Sequence, residues 1–348
     1  MYDYHNHIMS DSASLEEALS RLNKLASDAI LFIVNDEEQL VGSLTDGDIR
    51  RGLLKGKKFE SKILEYTQTS PQSIYKDNYS IEKIIELRQK NIKIIPVLDR
   101  DSRIINVINF RIISSYLPVD AVIMAGGRGS RLRPMTDKTP KPLLKVGNKS
   151  IIDHNIDRLR KFGIDDFYIS LGYLGEQIEK HYKIRNLEDI KLNFIWEENA
   201  LGTIGAVSLI DKFQHEYVLI TNSDLLTTLN YEHFFLDFLE KKADMSVATI
   251  PYQINIPYAV METRNNFVTS FKEKPTFTYH SNGGIYLVRR KILKGIPKNS
   301  FYNATDLMEK ILKNGGKLIS YPIHQYWLDI GKPEDFDKAQ VDIKNLEL

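Results

Sequence analysis

The chain has 348 residues, 42% hydrophobic and 27% charged, with 47 Lys and Arg against 46 Asp and Glu for a formal net charge of +1. That length supports two domains with substantial cores, and the balanced charge gives no field to attract a nucleic acid or a membrane surface. Cysteine is absent, which excludes disulfides, thiolate metal sites and Cys nucleophiles. The N-terminus has no signal pattern, and the longest apolar run, Ala29–Val34, is too short to span a bilayer, so a cytoplasmic enzyme is expected.

Residues 1–117 read as an internal repeat. A helical pattern at Ser14–Lys24 precedes strands at Ala29–Val34 and Leu40–Leu44; the same order returns as Ser80–Gln89, Ile92–Leu98 and Ile104–Ile108. The turns Asn35-Asp36-Glu37 and Asp99-Arg100-Asp101 stand 64 residues apart. Neither copy can bury its apolar faces alone, so the two are expected to pack together in a smaller α+β domain. The first copy carries Gly42-Ser43-Leu44-Thr45-Asp46-Gly47-Asp48-Ile49-Arg50, a strand followed by Thr-x-x-Asp. This region resembles a tandem pair of CBS repeats. The resemblance implies a regulatory nucleotide at Thr45, near phosphate, and Asp48, accepting from ribose hydroxyls, and a homodimer built face to face. The second copy has Asn109 and Ile112 at those positions. Isoleucine cannot accept a hydrogen bond, so one nucleotide site per chain is expected. The plainer reading of the Thr45-Asp46 segment is a helix N-cap.

From Val119, after a short join at Tyr116-Leu117-Pro118, strands alternate with helices. Val119–Ala125, Asp166–Leu171, Lys191–Trp196, Tyr217–Thr221 and Met245–Ile250 read as strands. Ser150–Phe162, Leu174–Tyr182, Thr203–Lys212 and Tyr231–Glu240 read as helices. The alternation predicts an α/β domain over 118–348, with a mainly parallel, Rossmann-like sheet covered on both faces.

The first of those strands runs into Gly126-Gly127-Arg128-Gly129-Ser130-Arg131-Leu132-Arg133-Pro134, with Pro140-Lys141-Pro142 just downstream. Between Gly126 and Lys149 there are seven Lys or Arg and one acid, Asp137. A strand, a glycine-rich turn and dense positive charge describe a phosphate cradle. It is not a Walker A loop, and the dinucleotide fingerprint fails because its third glycine falls on Leu132. The run resembles the signature of sugar-1-phosphate nucleotidyltransferases, with Ser130 where Thr is usual. The resemblance places Gly126, Gly127, Gly129, Ser130 and Arg131 around a nucleoside triphosphate, with Arg131 and Lys141 offsetting its charge.

Four further segments keep the family's order. Thr221-Asn222-Ser223-Asp224 follows a buried strand, at the edge where open α/β sheets bind ligands. Tyr326-Trp327-Leu328-Asp329-Ile330-Gly331-Lys332-Pro333 resembles the family's second acidic motif. Together they imply that Asp224 and Asp329 hold Mg²⁺, an ion proteins usually bind through one or two carboxylates plus substrate phosphates. Glu197 and Gly202, in Glu197-Glu198-Asn199-Ala200-Leu201-Gly202, match the segment against the nucleotide base. Phe271-Lys272-Glu273-Lys274-Pro275 and Asn282-Gly283-Gly284-Ile285-Tyr286 match the sugar-phosphate segments, which assigns Tyr258, Glu273, Lys274 and Asn282 there. Ala259 stands where a glycine is usual after Tyr258.

The implied reaction is attack by a sugar 1-phosphate on the α-phosphorus of a nucleoside triphosphate, releasing pyrophosphate. A CBS pair ahead of a short transferase resembles the guanylyltransferases acting on glucosamine 1-phosphate in bacterial legionaminic acid synthesis. Mannose or heptose 1-phosphate with GTP, and glucose 1-phosphate with UTP, are the alternatives within the class. A catalytically silent, nucleotide-sensing subunit is the alternative outside it.

Overall fold

The computed structural model describes residues 3–185, 187 and 189–346. Two compact units emerge: the chain up to Pro118 together with Arg160–Asp165 and Leu187–Lys191, and the remainder from Val119.

The first unit is duplicated. β1 (Ile8–Ser10), β2 (Leu31–Val34) and β3 (Leu40–Leu44) form one sheet, with β1 parallel to β2 and β2 antiparallel to β3. β4 (Ile74–Tyr75), β5 (Ile94–Leu98) and β6 (Ile104–Asn109) repeat that order and those directions. Even the irregularities recur: register shifts fall at Ile33/Val34 and Val97/Leu98, and Glu38 and Ser102 both take positive φ in the turns. The turns pair with each other through a Gln39–Arg103 bridge. α1 (Leu15–Leu25) starts at a capping box between Ser14 and Glu17 and buries Leu15, Ala18 and Leu22 on one face. This spacing is that of an amphipathic helix. α2 (Asp46–Leu54) follows β3, and α3 (Ile81–Gln89) precedes β5. After β6 the copies diverge. Asn109 accepts from the Arg111 N–H at 3.0 Å and donates to Asp28 at 2.8 Å, and no counterpart of α2 forms among the described residues.

The second unit begins with β7 (Val119–Met124), a small hairpin of β8 (Lys145–Val146) and β9 (Lys149–Ser150), α4 (Ile151–Arg160), β10 (Asp166–Leu171), α5 (Gly175–Arg185) and β11 (Lys191–Trp196). β12 (Tyr217–Asn222), β13 (Leu225–Thr227), α6 (Tyr231–Glu240), β14 (Met245–Asn255), β15 (Val260–Arg264), β16 (Phe267–Lys272) and β17 (Thr276–Arg289) follow. α7 (Arg290–Leu293), α8 (Ala304–Lys313), β18 (Leu318–Pro322), β19 (Trp327–Asp329) and α9 (Pro333–Asp342) complete it. The main sheet has the order β11-β10-β7-β12-β17-β14-β18. β7 is parallel to β10 and β12, β14 is parallel to β18, and β17 runs against both of its neighbours. Parallel strands buried on both faces need continuous apolar runs, and Val122, Val218, Ile220, Val247 and Val288 supply them to a core shared with Leu307 and Ile311 of α8.

Two expectations fail here. The helix expected over Thr203–Lys212 is a single short 3-10 segment, Gly205–Leu209. Its approach is held by the backbone around Tyr302, whose N–H donates to Leu201 O at 2.8 Å and whose carbonyl accepts from the Ile204 N–H at 3.1 Å. Gly202 there has φ +82°. The strand expected to end at Ile250 continues to Asn255, paired with β17 in a ribbon that leaves the main sheet and carries the β15–β16 hairpin.

Candidate active site

The C-terminal ends of β7 and β12 open onto a cleft of about 400 Å³ lined by Gly126, Gly127, Gly129, Ser130, Arg131, Lys141, Glu197, Gly202 and Asp224, among others. Gly129 takes φ +60°, and a Cβ there would stand 2.9 Å from the Cβ of Lys141. Only glycine lets the loop turn this tightly against the lysine stem. The Thr136 hydroxyl donates to Gly129 O at 2.9 Å and fixes the turn. Lys141 leads the 3-10 turn Lys141–Leu143 and is buried.

Two segments about 100 residues apart place the acids. β13 pairs antiparallel with β19, setting Leu225 opposite Asp329, and the Ile330 N–H donates to Asp224 O at 3.0 Å. Between the acids sits the Lys141 ammonium, bonded to Asp224 Oδ2 and 4.0 Å from Asp329 Oδ1. Burial, then the neighbouring Asp224, raises the Asp329 carboxyl above its ordinary value, against the opposing pull of Lys141 and Arg131. The Arg131 guanidinium lies over Gly331, 3.3 Å from where a Cβ would stand.

Asp224 Oδ1 and Asp329 Oδ1 are buried and have no hydrogen-bond partner. Ionised carboxylates are acceptors only, and a buried acceptor left unmatched is costly. Such a hard oxygen pair fits a divalent cation.

Glu197 reaches the cleft as well. Its Oε2 accepts from the Leu201 N–H at 3.2 Å, and its carboxylate lies against Gly126, where a Cβ would stand 2.6 Å from Oε1. Asn282 shapes its own turn, accepting from the Gly284 N–H at 2.9 Å and donating to the Tyr286 hydroxyl at 2.9 Å. The adjacent Gly283 carbonyl accepts from Trp327 Nε1 at 2.9 Å, which ties this segment to β19. Tyr258, Glu273 and Lys274 are exposed in the ribbon region and are not among the lining residues of the cleft. In the first unit, Thr45 and Asp48 form a capping box at the start of α2. The Asp48 carboxylate also accepts from Arg51 at 2.6 Å and Gln68 at 3.1 Å. Although burial opposes it, these hydrogen bonds with that from Thr45 hold Asp48 below its ordinary value.

Two features escaped the sequence reading. Buried Asn155 of α4 donates to the carbonyls of Ile151 at 2.9 Å and Leu225 at 2.8 Å, steadying the chain beside Asp224. A polar residue on an apolar helical face was its only signal. Asp120, Asp166 and His215, all buried, bring ligand-type atoms within 4.8 Å of one another. They gather at the N-terminal ends of β7, β10 and β12, the opposite end of these strands from the cleft. Burial is the main cause that pushes the Asp120 carboxyl up to about 6, despite the His215 and Gln214 N–H groups it accepts.

Residues 120–345 match the model of the nucleotidyl transferase family. The chain belongs to that family. Residues 7–55 match the CBS domain. The D-glycero-alpha-D-manno-heptose 1-phosphate guanylyltransferase of Aneurinibacillus thermoaerophilus is 33% identical over 233 residues, spanning 65% of this chain and 99% of that relative. The mannose-1-phosphate guanylyltransferase of Mycobacterium tuberculosis is 27% identical over 234 residues, 65% of this chain and 64% of the relative. A solved structure from Bacillus anthracis, assigned as a glucose-1-phosphate thymidylyltransferase, aligns with a TM-score of 0.53 at 22% identity over 66% of this chain and 97% of its own, a likeness of fold. The nucleotidyl transferase fold therefore accounts for the second unit, and no helix among the described residues is long and apolar enough to cross a membrane.

Proposed function

We propose that this nucleotidyl transferase moves a nucleoside monophosphate, GMP from GTP, onto a sugar 1-phosphate, giving a nucleotide sugar and pyrophosphate. The observation that carries this reading is the convergence of the glycine-rich turn, Lys141, Asp224 and Asp329 on one cleft. Guanine is favoured by two relatives named as guanylyltransferases. Glucosamine 1-phosphate is favoured by the CBS unit ahead of the transferase, and the heptose and mannose 1-phosphates by those relatives.

No protein base is needed. A phosphate monoester has its second pKa near ~6, so the nucleophile is already ionised at neutral pH. Catalysis then rests on alignment and charge neutralisation. Backbone N–H groups of the Gly126–Gly129 turn would cradle the triphosphate, and Arg131 and Lys141 would offset charge gathering on the leaving pyrophosphate. Asp224 and Asp329 would hold Mg²⁺, which supplies charge neutralisation when bound. Lys274 would seat the sugar phosphate, with Tyr258, Glu273 and Asn282 at the sugar.

Residues 1–117 serve in this reading as a tandem CBS unit that takes one regulatory nucleotide at Thr45 and Asp48 and joins chains as a homodimer in the cytoplasm. Pyrophosphate release across four triphosphates and a panel of sugar 1-phosphates tests the transferase assignment. Turnover by no pair would refute it, and calorimetry with AMP, ATP and GTP tests the regulatory site.

A further inference from the structure

Among the described residues, regular structure between β7 and the Lys141–Leu143 turn is limited to one short 3-10 segment, Ser130–Leu132. Glycines that let a backbone come close to phosphate also leave it free to move, so other groups must hold the shape of this loop. They stand in the turn from β10 to α5. The Tyr173 N–H donates to Gly126 O at 3.2 Å. The Tyr173 hydroxyl donates to the carbonyls of Thr136 and Asp137, at 3.2 and 3.1 Å, and so grips the far end of the same loop. Its ring lies under Arg128, whose guanidinium carbon is 6.0 Å from the ring centroid, a cation–π contact. Gln177, in the first turn of α5, donates to Lys138 O at 3.0 Å. The approach needs a small neighbour, since a Cβ on Gly172 would stand 2.7 Å from Gly126 O.

We infer that Tyr173 is a positioning residue: it clasps both ends of the glycine-rich loop and thereby aims the loop's N–H groups at the triphosphate. The inference rests on the triphosphate role proposed for that loop. Its hydrogen bonds all take carbonyls, and in a trans peptide the C=O and the following N–H point opposite ways. Drawing Gly126 O toward Tyr173 therefore sends the Gly127 N–H to the other side. The Thr136 hydroxyl does the same for the Ser130 N–H by holding Gly129 O at 2.9 Å, and Thr136 is itself held through its carbonyl by Tyr173. Gly127 and Ser130 both line the cleft. Donors oriented beforehand spare the cost of ordering them when the anion binds and reacts. Tyr173 acts through these groups and not by touching substrate.

The test uses the full-length chain. Tyr173→Phe keeps the ring under Arg128 and deletes the hydroxyl, and Tyr173→Leu deletes both. Calorimetry follows binding of inorganic tripolyphosphate, and pyrophosphate release gives KM for GTP and for the sugar 1-phosphate that the wild type turns over fastest. Loss of the hydroxyl bond should weaken tripolyphosphate binding and raise KM for GTP by roughly fivefold each, and Tyr173→Leu should do more. KM for the sugar 1-phosphate should stay at its wild-type value in both variants. A purely structural role would lower the melting temperature without this split between substrates. Wild-type tripolyphosphate affinity in Tyr173→Phe, or an equal rise in both KM values, overturns the clasp. Failure of the wild type itself to bind tripolyphosphate overturns the triphosphate role of the loop, and this inference with it.

Discussion

Replacing Lys141 by methionine should damage stability and chemistry together, and a second change should separate them. Methionine keeps the length of the stem and deletes the charge between two acids. At 4.0 Å, the Asp329–Lys141 pair would attract by about 4 kcal/mol at an effective dielectric of ~20. The Asp329 side chain is 40% exposed, and solvent screening reduces that to roughly 1 kcal/mol. The Asp224 contact is better shielded, with side chains 10% and 21% exposed, and is worth roughly 2 kcal/mol. Lys141→Met should therefore cost roughly 3 kcal/mol, lowering the melting temperature of this unit by about 6–12 °C. Loss of a charge-assisted contact to the triphosphate should reduce kcat/KM by roughly 10- to 100-fold. Adding Asp224→Asn removes the carboxylate left uncompensated, so most of the lost stability should return while activity falls further. Denaturant unfolding and pyrophosphate release read the two effects. A double variant no more stable than Lys141→Met would refute the electrostatic account of this cluster.

Asp224→Asn and Asp329→Asn should each lower kcat by about 100-fold or more in a folded protein; near-wild-type turnover would remove that residue from the metal pair. Lys274→Ala should raise KM for the sugar 1-phosphate far more than for the triphosphate, and an equal rise in both would show the assignment is wrong. Asp120 has a folded value raised from 3.8 to about 6, so the stability it contributes in the protonated form is present below about pH 4 and is lost as pH climbs to about 6. Asp120→Asn, which keeps the neutral form, should gain on wild type by roughly 2–3 kcal/mol across that window; a pH-independent difference would contradict it. Asp48→Ala should destabilise the first unit by about 1 kcal/mol through loss of the α2 cap, and unchanged unfolding would contradict the capping role.

Periodicity located five of the seven main-sheet strands, most clearly β7, β10 and β12, whose buried parallel runs are apolar, and did not mark β17 or β18; α6 appears over the same residues as its pattern, Tyr231–Glu240. It misplaced Thr203–Lys212 because the contest there is decided by remote backbone at Tyr302, which local sequence does not contain. The ribbon was equally hidden: Pro251–Asn255 alternates in character whether or not a sheet lies beside it. At the site, the glycine-rich turn and both acids were legible as motifs, since phosphate and cation chemistry restrict residue types. The Lys141 contact with Asp224, the partial burial of Asp329 and the anchoring by Asn155 were not, because each depends on which segments meet. The Thr45–Asp48 pair shows the reverse case. Its pattern suits a ribose, and its observed geometry is that of a helix cap.

The ladder between β13 and β19 has a bearing on assembly. Because it joins segments about a hundred residues apart, its closure is entropically slow and non-local, whereas the glycine-rich turn is finished by neighbours such as Thr136. Yet Leu132 of that turn packs in one buried cluster with Leu328, Ile330 and Ala339, so during synthesis the phosphate-binding half of the cleft also waits for the segment around Asp329. The acid pair is completed only when the strand containing Trp327 arrives, so a chain interrupted before that point lacks both the second acid and the packing beneath the phosphate turn.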